Sequence, residues 1–382
     1  MGLIFLCRTK WKSLLWKDEM IYLDNAATTK VHPDVFEAMV PWYITYFGNA
    51  SSSHHFGKMA KEALDKARKD IADVVGCFPE EIIFTSGGTE ADNLALFMSL
   101  GNILTSSIEH KAILNMAINP KIADVFNNGT IDLDDVERKI RDFTTLISVM
   151  AVNNETGVAQ PYDYIASLSH KFGKIFHTDA VQAFGHRPID IKNIDMMSVS
   201  GHKINGPKGI GFLYVNKHTQ QFIHPRMRGG SQEFGYRAGT EPIPLIVGLA
   251  EAVKLHANPK PVNLAWFEDM LVNECNAVIN GVSCHDDPWK NIINFQLDVH
   301  NDTMIQNLSR RKIYLSAGSA CNSTLAVPSH VLKAMGLSDE ECNKSLRISV
   351  GEGISMEDAR TVVNTINQIR KEQKIVDSVD EM

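Results

Sequence analysis

The middle of the chain alternates short β-rich runs with helical patterns, and this alternation is the feature that most restricts the fold. "EEIIFTS" is followed by "TEADNLALFMSL", and "TTLISVMAVNN" is followed by "PYDYIASLSHKFG". The runs "KIFHTDA", "DMMSVS" and "GIGFLYV" come next. Strands that alternate with helices form parallel sheets with helices on their faces. The pattern therefore predicts an α/β fold built on a mostly parallel sheet.

The alternation breaks at "LHANPKPVNLAW", where two prolines follow a helical pattern. Such a break indicates a domain boundary. The first residues hold an apolar patch too short for a signal peptide or a membrane span, whereas a strand-and-turn pattern begins at Met20, where we expect translation to start. The expected units are an atypical extension over 1–19, a segment over 20–35 that joins the small domain, a large domain over 36–258, and a small C-terminal α/β domain over 259–382.

The charge and the cysteines exclude several classes of function. A formal net charge of -7 gives no basic surface for direct contact with nucleic acid or an anionic membrane. The cysteines lack C-x-x-C spacing, which argues against a structural zinc site and a disulfide framework, so no metal site is expected. The same usage predicts a reducing, cytoplasmic location. The cysteines are Cys7, Cys77, Cys275, Cys284, Cys321 and Cys342.

The stretch "EEIIFTSGGTEADNLALF" has the pattern of a strand, a glycine turn and a helix. Free N–H groups and a positive dipole at a helix start favour a phosphate. The glycines match neither a Walker loop nor a dinucleotide fingerprint. A simpler interpretation is a capped helix, because Thr89 and Asp92 have the spacing of a capping box.

Two further strand ends carry chemistry that fits one cofactor. Asp179 ends "KIFHTDA" and can pair with a protonated ring nitrogen, as pyridoxal phosphate requires. Lys203 follows "DMMSVS" and can form a Schiff base with the aldehyde of the same cofactor. Taken singly, Asp179 can instead cap a turn or join a surface ion pair, and most lysines are simply solvated.

Four other residues gain meaning from this set. His110 in "SSIEHKAIL" can stack on the pyridine ring, and Asn154 in "VNNETG" follows an apolar strand, although each also suits a structural role. Cys321 lies among small residues in "SAGSACNS", where nothing bulky would bury it, although a free cysteine is ordinarily a small buried residue. An exposed thiolate at this position is what sulfur transfer requires. Arg347 in "SLRISVG" is expected on the polar face of a half-buried strand, as a carboxylate ligand or a rim salt bridge.

These motifs together resemble the cysteine desulfurases, pyridoxal-phosphate enzymes with the fold of the class V aminotransferases. The resemblance runs from "YLDNAATT" through "FTSGGTEADN", "EHKAIL", "VNNETGVAQP", "HTDAVQAFG", "SGHKINGPKGIGFLY" and "MRGGSQEFGYRAGTEP" to "SAGSAC" and "LRISVG". It implies a fold-type I transferase with a seven-stranded large-domain sheet and pyridoxal 5'-phosphate as the cofactor. The chain departs from the family pattern at Ala50 and at Glu352, Gly353 and Ile354, which puts partner choice in doubt more than the reaction.

The resemblance also assigns roles residue by residue. Lys203, His110 and Cys321 are implied to be catalytic, Arg347 to bind the substrate, and Asn154 to contact both the cofactor and the substrate. Asp179 is implied to face the ring nitrogen, Gln182 the ring hydroxyl, and Thr240 the phosphate of a neighbouring subunit, so a homodimer is implied. The residues implied at the phosphate are Gly88, Thr89, Ser200 and His202.

The implied reaction converts L-cysteine to L-alanine and leaves the sulfur on Cys321 as a persulfide. "SAGSAC" is similar to the subgroup with the longer, mobile cysteine loop, which delivers sulfur to an acceptor protein such as an iron-sulfur scaffold or a thiolation enzyme. With a scaffold partner, the Cys321 persulfide could transiently share an iron-sulfur cluster. Alternatives are a selenocysteine lyase or an aminotransferase on the same scaffold, and a non-catalytic interaction protein.

Overall fold

The computed structural model describes residues 20–97, 102–318 and 327–380, and side chains as far as residue 375. The strands are β1 (Ile21–Tyr22), β2 (Ile82–Thr85), β3 (Ile103–Ser106), β4 (Lys121–Ala123), β5 (Leu146–Ser148), β6 (Ile175–Asp179), β7 (Met196–Ser200), β8 (Gly211–Val215), β9 (Val278–Asn280), β10 (Ile292–Gln296), β11 (Ile313–Tyr314) and β12 (Ser345–Ser349).

The helices alternate with these strands through the first two thirds of the described chain. They are α1 (Pro33–Ile44), α2 (His55–Val75), α3 (Gly88–Phe97), α4 (Lys111–Leu114), α5 (Leu133–Lys139), α6 (Tyr162–Lys171), α7 (Ile243–Leu255), α8 (Ala265–Cys275), α9 (Asn301–Arg310), α10 (His330–Ala334), α11 (Asp339–Asn343) and α12 (Met356–Asp380). Within the described ranges, no helix is both long enough and apolar enough to cross a membrane.

The large sheet has seven strands in the order β2-β8-β7-β6-β5-β3-β4. Strand β8 runs antiparallel to both of its neighbours, and the other pairings are parallel. The prediction of a mostly parallel sheet covered by helices is therefore confirmed. Because β2, β3, β5, β6 and β7 all point the same way, the loops after them meet at one edge of the sheet.

Alternating residues of the strands pack on opposite faces of this sheet. Phe212 and Tyr214 of β8 join a core cluster with the inner faces of α1, α2 and α7, whereas Leu213 joins a second cluster with α3. Burial of both faces explains why the strands are nearly continuous apolar runs. Helix α2 ends at Gly76, whose φ of 83° is the left-handed conformation that glycine adopts at little cost.

The smaller sheet is antiparallel, in the order β12-β10-β9, and shares a third core cluster with α8, α9 and α12. The N-terminal segment belongs to this cluster, because Leu23 is buried in it and β1 pairs with β11. The expectation of a half-buried β12 is wrong, since all five of its residues are buried. Its polar face is covered by residues 23–26 and by the loop after β5, with which Arg347 and Ser349 form hydrogen bonds.

Candidate active site

A cavity of about 320 Å³ lies at the edge of the large sheet where the parallel strands end. It also reaches the small sheet through Arg347. Thr240 does not line it and is exposed, and Cys321 falls outside the described residues. The sequence-predicted site residues that line the cavity are Gly88, Thr89, His110, Asn154, Asp179, Gln182, Ser200, His202, Lys203 and Arg347.

One end of the cavity is formed by the start of α3. The first N–H groups of a helix have no acceptor within the helix, and those of Gly88 and Thr89 open at the cavity wall. A side chain at Gly88 would place its Cβ 2.7 Å from Cγ2 of Val181, so any larger residue would require the Val181 side chain to move. Burial lowers the pKa of His202 to about 4, so its ring is neutral beside the Thr28 hydroxyl, 3.1 Å away.

Asp92 does not form the capping box that its spacing from Thr89 suggested. Its carboxyl is buried at the cavity wall, with Oδ1 3.7 Å from Nε2 of His177. The helix start is held instead by Glu90, whose Oε2 accepts a hydrogen bond of 2.7 Å from the Ser86 N–H. Burial, followed by the charge of Asp179, raises the pKa of Asp92 well above its usual range. Burial therefore favours the protonated, neutral form of the Asp92 carboxyl.

Lys203 ends a short 3-10 turn over Gly201–Lys203 that directly follows β7. Its side chain is half-buried, and Nζ donates hydrogen bonds to the carbonyl oxygens of Ala26 and, over 2.8 Å, Ala27. These carbonyls belong to the "YLDNAATT" segment after β1. The amine is therefore directed into the cavity wall rather than into solvent.

Asp179 ends β6 with its carboxylate inside the cavity. Its Oδ1 accepts a hydrogen bond of 2.8 Å from the Val181 N–H. Burial raises the pKa of Asp179, and the hydrogen bond from the Val181 N–H and the positive charge of Lys203 act in the opposite direction. A buried carboxylate of this kind is stabilised as an anion by a cationic partner. Nearby, Gln182 donates through Nε2 to the Ala26 carbonyl over 2.9 Å, which fixes the orientation of its amide.

His110 caps the N-terminus of α4. Its Nδ1 accepts a hydrogen bond of 3.1 Å from the Ala112 N–H, so the neutral ring carries its proton on Nε2. Burial lowers the pKa of His110, and the charge of Asp179 opposes that effect. The imidazole is therefore neutral at physiological pH, with an N–H available for donation.

Another histidine, His177, is buried on β6 between the hydroxyls of Ser148 and Ser198, each 2.9 Å from a ring nitrogen. Burial lowers the pKa of His177 to about 3. The unfolded chain therefore binds a proton at this residue between pH 6.5 and 3 while the folded chain does not, so acid weakens folding in that window.

We expect His177→Gln to remove this contribution. The free energy of unfolding of the parent chain should fall with acidification by about 1.4 kcal/mol per pH unit more steeply than that of the variant. Urea unfolding of both chains at pH 6, 5 and 4 measures the difference. Identical pH dependence in the two chains would contradict a neutral, buried His177.

Sequence reasoning missed Glu155 and His330, which line the cavity, and the buried Glu109, which contacts His330. Glu155 accepts a hydrogen bond from the Ser329 hydroxyl, and Nε2 of His330 donates to the Glu109 carbonyl over 2.9 Å. Burial raises the pKa of Glu109 to about 8. Glu109 directly precedes His110, and Glu155 directly follows Asn154. Nothing in the sequence distinguishes these two buried acids from exposed ones.

The residues present fit pyridoxal phosphate. The helix start at Gly88 and Thr89 offers N–H donors to a phosphate. The buried carboxylate of Asp179 requires a cationic partner, which a protonated ring nitrogen provides, and Lys203 supplies an amine for an aldehyde. The three groups line one cavity and arise from three different strands of the same sheet edge.

Comparison with known proteins agrees with this donor set. The family model of Aminotransferase class-V matches residues 21–362. The cysteine desulfurase IscS of Methanosarcina thermophila is 40% identical over 377 residues, covering 92% of this chain and 92% of the relative.

Solved structures give the same result. A NifS-like protein superposes with a TM-score of 0.83 at 31% identity, covering 92% of this chain and 99% of that one. SspA in complex with cysteine superposes with a TM-score of 0.78 at 38% identity, covering 88% and 100%.

Proposed function

Because the chain belongs to the class V aminotransferase family and is a pyridoxal-phosphate-dependent cysteine desulfurase, we propose that Lys203 and Cys321 divide the conversion of L-cysteine to L-alanine between them. The observation that carries the proposal is the convergence of Lys203, Asp179 and His110 in one cavity that also holds Arg347. Lys203 acts on carbon, and Cys321 acts on sulfur. Two nucleophiles are needed because the cofactor activates only the carbon side.

When bound, pyridoxal phosphate would supply an aldehyde for the substrate amine and an electron sink for Cα. The helix start at Gly88 and Thr89, with Ser200 and His202, holds the phosphate. Asp179 balances the charge of the protonated ring nitrogen, and Gln182 contacts the ring hydroxyl. His110 would stack on the ring, and its imidazole lines the same cavity as Asp179, with a pKa that burial lowers.

Lys203 serves as the base that removes the Cα proton. Its hydrogen bonds to Ala26 and Ala27 hold Nζ at the cavity wall until the cofactor occupies it. The N–H of His110 and the protonated Lys203 then supply protons to the carbon skeleton. Arg347 binds the substrate carboxylate, with Asn154 beside it.

Cys321 accepts the sulfur. The Cys321 thiolate attacks the substrate sulfur, an S–S bond forms, and the C–S bond breaks with its electron pair moving to the β-carbon. That carbon takes up a proton, and L-alanine leaves. The atoms and electrons balance without an external oxidant, because the β-carbon is reduced as its C–S bond becomes a C–H bond, while the sulfur atoms are oxidised as the S–S bond forms.

A homodimer and a sulfur-acceptor protein complete the proposal. Thr240 is exposed, as a residue that reaches a neighbouring subunit's phosphate must be. Tyr43, Ile44 and Phe47 are each more than half exposed, and the ring of Phe47 stacks on Phe56 with centroids 5.4 Å apart, so this aromatic surface suits a second copy of the chain. A holoenzyme mass of two 42.5 kDa chains in solution tests the dimer.

The acceptor is an iron-sulfur scaffold or an enzyme that thiolates tRNA or a cofactor. We also propose that the large domain spans 36–258 and that the small domain over 259–382 carries the cysteine segment, with residues 20–35 joining it. The described thiols of Cys77, Cys275, Cys284 and Cys342 are free, which supports a reducing, cytoplasmic location.

Mass spectrometry after brief exposure of the holoenzyme to L-cysteine, without reductant, tests the division of labour. We expect one added sulfur on the Cys321 peptide and release of one equivalent of alanine. Cys77→Ser is the matched control, because burial raises the pKa of the Cys77 thiol to about 12 and keeps it protonated and unreactive. Alanine release without sulfur on Cys321, or sulfur on Cys77, would refute the assignment.

A further inference from the structure

The guanidinium of Arg347 is held by three parts of the chain. Its Nη1 donates to the carbonyl oxygens of Asn154 and Gly318, over 2.9 and 2.8 Å. Its Nη2 donates to Oδ1 of Asp24 over 2.7 Å. The side chain of Arg347 is only 2% exposed, so it cannot exchange these acceptors for bulk water.

The donors of Arg347 are not all used. A guanidinium carries five N–H donors, and the described residues accept from both on Nη1 and from one on Nη2. Nε is buried and has no hydrogen-bond partner in the described part of the chain. A buried donor without an acceptor is costly, which indicates a group that a ligand completes. Arg347 lines the cavity, so the ligand enters there.

Asp24 is the only carboxylate that forms an ion pair with Arg347 among the described residues. It follows β1 in the "YLDNAATT" segment, and its backbone bridges to Ser349 of β12. The Asp24 side chain is therefore fixed against the strand that carries Arg347. It binds the guanidinium at one nitrogen, which leaves the Nε edge open.

We propose that Asp24 is a positioning residue for the substrate carboxylate: it orients Arg347 so that Nε–H and the remaining Nη2–H face the cavity and bind the carboxylate of L-cysteine. This inference rests on the proposed function and adds a residue to it. Asp24 contributes by orienting the Arg347 guanidinium, because an arginine side chain that is already fixed loses little conformational freedom when the substrate binds. Its negative charge is not what binds the substrate, since it repels the incoming carboxylate.

Two substitutions separate orientation from charge. Asp24→Asn keeps an oxygen acceptor for Nη2 and removes the negative charge, whereas Asp24→Ala removes both. We expect Asp24→Ala to raise the KM for L-cysteine about 10-fold, with kcat changed less than about 3-fold, as for loss of uniform binding. We expect Asp24→Asn to restore the KM to the parent value or below it.

Cysteamine, which lacks the carboxylate, is the control ligand. Titration of each holoenzyme with cysteamine, followed by the cofactor absorbance, should give dissociation constants within about 2-fold of the parent for both variants. Equal weakening of L-cysteine and cysteamine in Asp24→Ala would mean a general loss of the site and would overturn the proposal. So would an Asp24→Asn variant whose KM rises as much as that of Asp24→Ala.

Failure of the proposed function has a different signature. If the parent holoenzyme showed no absorbance change with either amine, the assignment of the cavity would be wrong and not merely the role of Asp24. Thermal unfolding of both variants checks the fold, because Asp24→Ala leaves a buried guanidinium without its counter-charge. If Asp24→Ala does not fold, the test uses Asp24→Asn. A KM for L-cysteine above the parent value in Asp24→Asn is then sufficient to reject the proposal.

Discussion

Lys203→Ala should lower the rate of alanine formation from L-cysteine by at least about 10⁴-fold, the upper range for loss of one acid or base group, because the same amine also attaches the cofactor. Nζ of Lys203 lies in the cavity wall, bonded to the Ala26 and Ala27 carbonyls. Alanine formation under single-turnover conditions, in protein saturated with cofactor, gives the measurement. A second readout is retention of cofactor through dialysis, which should fall in the variant.

Lys208→Ala is the matched control for this variant. Lys208 lies in the same "GHKINGPKG" loop but is exposed and does not line the cavity. Its replacement should leave both the rate and the cofactor content within about 2-fold of the parent, as for a surface change away from the site. A Lys203→Ala enzyme that kept a tenth of the parent rate would place the base elsewhere.

Asp179→Asn should lower the rate of alanine formation about 10²- to 10³-fold, the loss typical of removing one preorganised electrostatic group. The substitution keeps the shape and the hydrogen bond from the Val181 N–H, and it removes only the negative charge. Without that charge the ring nitrogen no longer stays protonated, so Cα holds its proton more tightly. The rate of exchange of the Cα hydrogen of L-alanine with deuterated water measures this step alone.

Asp92→Asn is the matched control for Asp179→Asn. Asp92 is a second buried acid on the same cavity wall, but burial and the charge of Asp179 raise its pKa and so favour its neutral form. Replacing a neutral acid by an amide removes no charge, so its effect on hydrogen exchange should be at least about 10-fold smaller than that of Asp179→Asn. Equal losses in the two variants would show that packing, and not charge, is the property that matters at Asp179.

The sequence predicts the large sheet well because the apolar pattern of its strands agrees with their burial in the structure. Every residue of β2, β7 and β8 is buried, since both faces of the sheet are covered, and the apolar residues of these strands make them recognisable. Asp179 ends β6, and Lys203 directly follows β7. Each predicted residue at this edge of the sheet ends a strand or follows it closely, so it can be placed without information on contacts distant in sequence.

The errors have a common physical cause, which is tertiary burial of polar groups. The alternation in β12 has the period of a half-buried strand, yet residues from the distant N-terminal segment cover its polar face. The spacing of Thr89 and Asp92 matches a capping box, but the Asp92 carboxyl turns into the cavity instead. Glu109 and Glu155 were missed for the same reason, because burial of an acid depends on neighbours far away in sequence.

The contacts of Arg347 also determine when the substrate side of the enzyme can assemble during synthesis. Lys203, Asp179 and His110 all lie before residue 204, and strand β8, which joins β2 to β7, ends at Val215, so the cofactor side needs only contacts within the large-domain part of the chain. The Asp24 and Arg347 pair closes a loop of 323 residues, and β1 must wait for β11 before it can pair at all. Contacts of such high sequence separation form late, since loop closure costs entropy first. A nascent chain should therefore acquire its cofactor pocket well before it can recognise an amino acid.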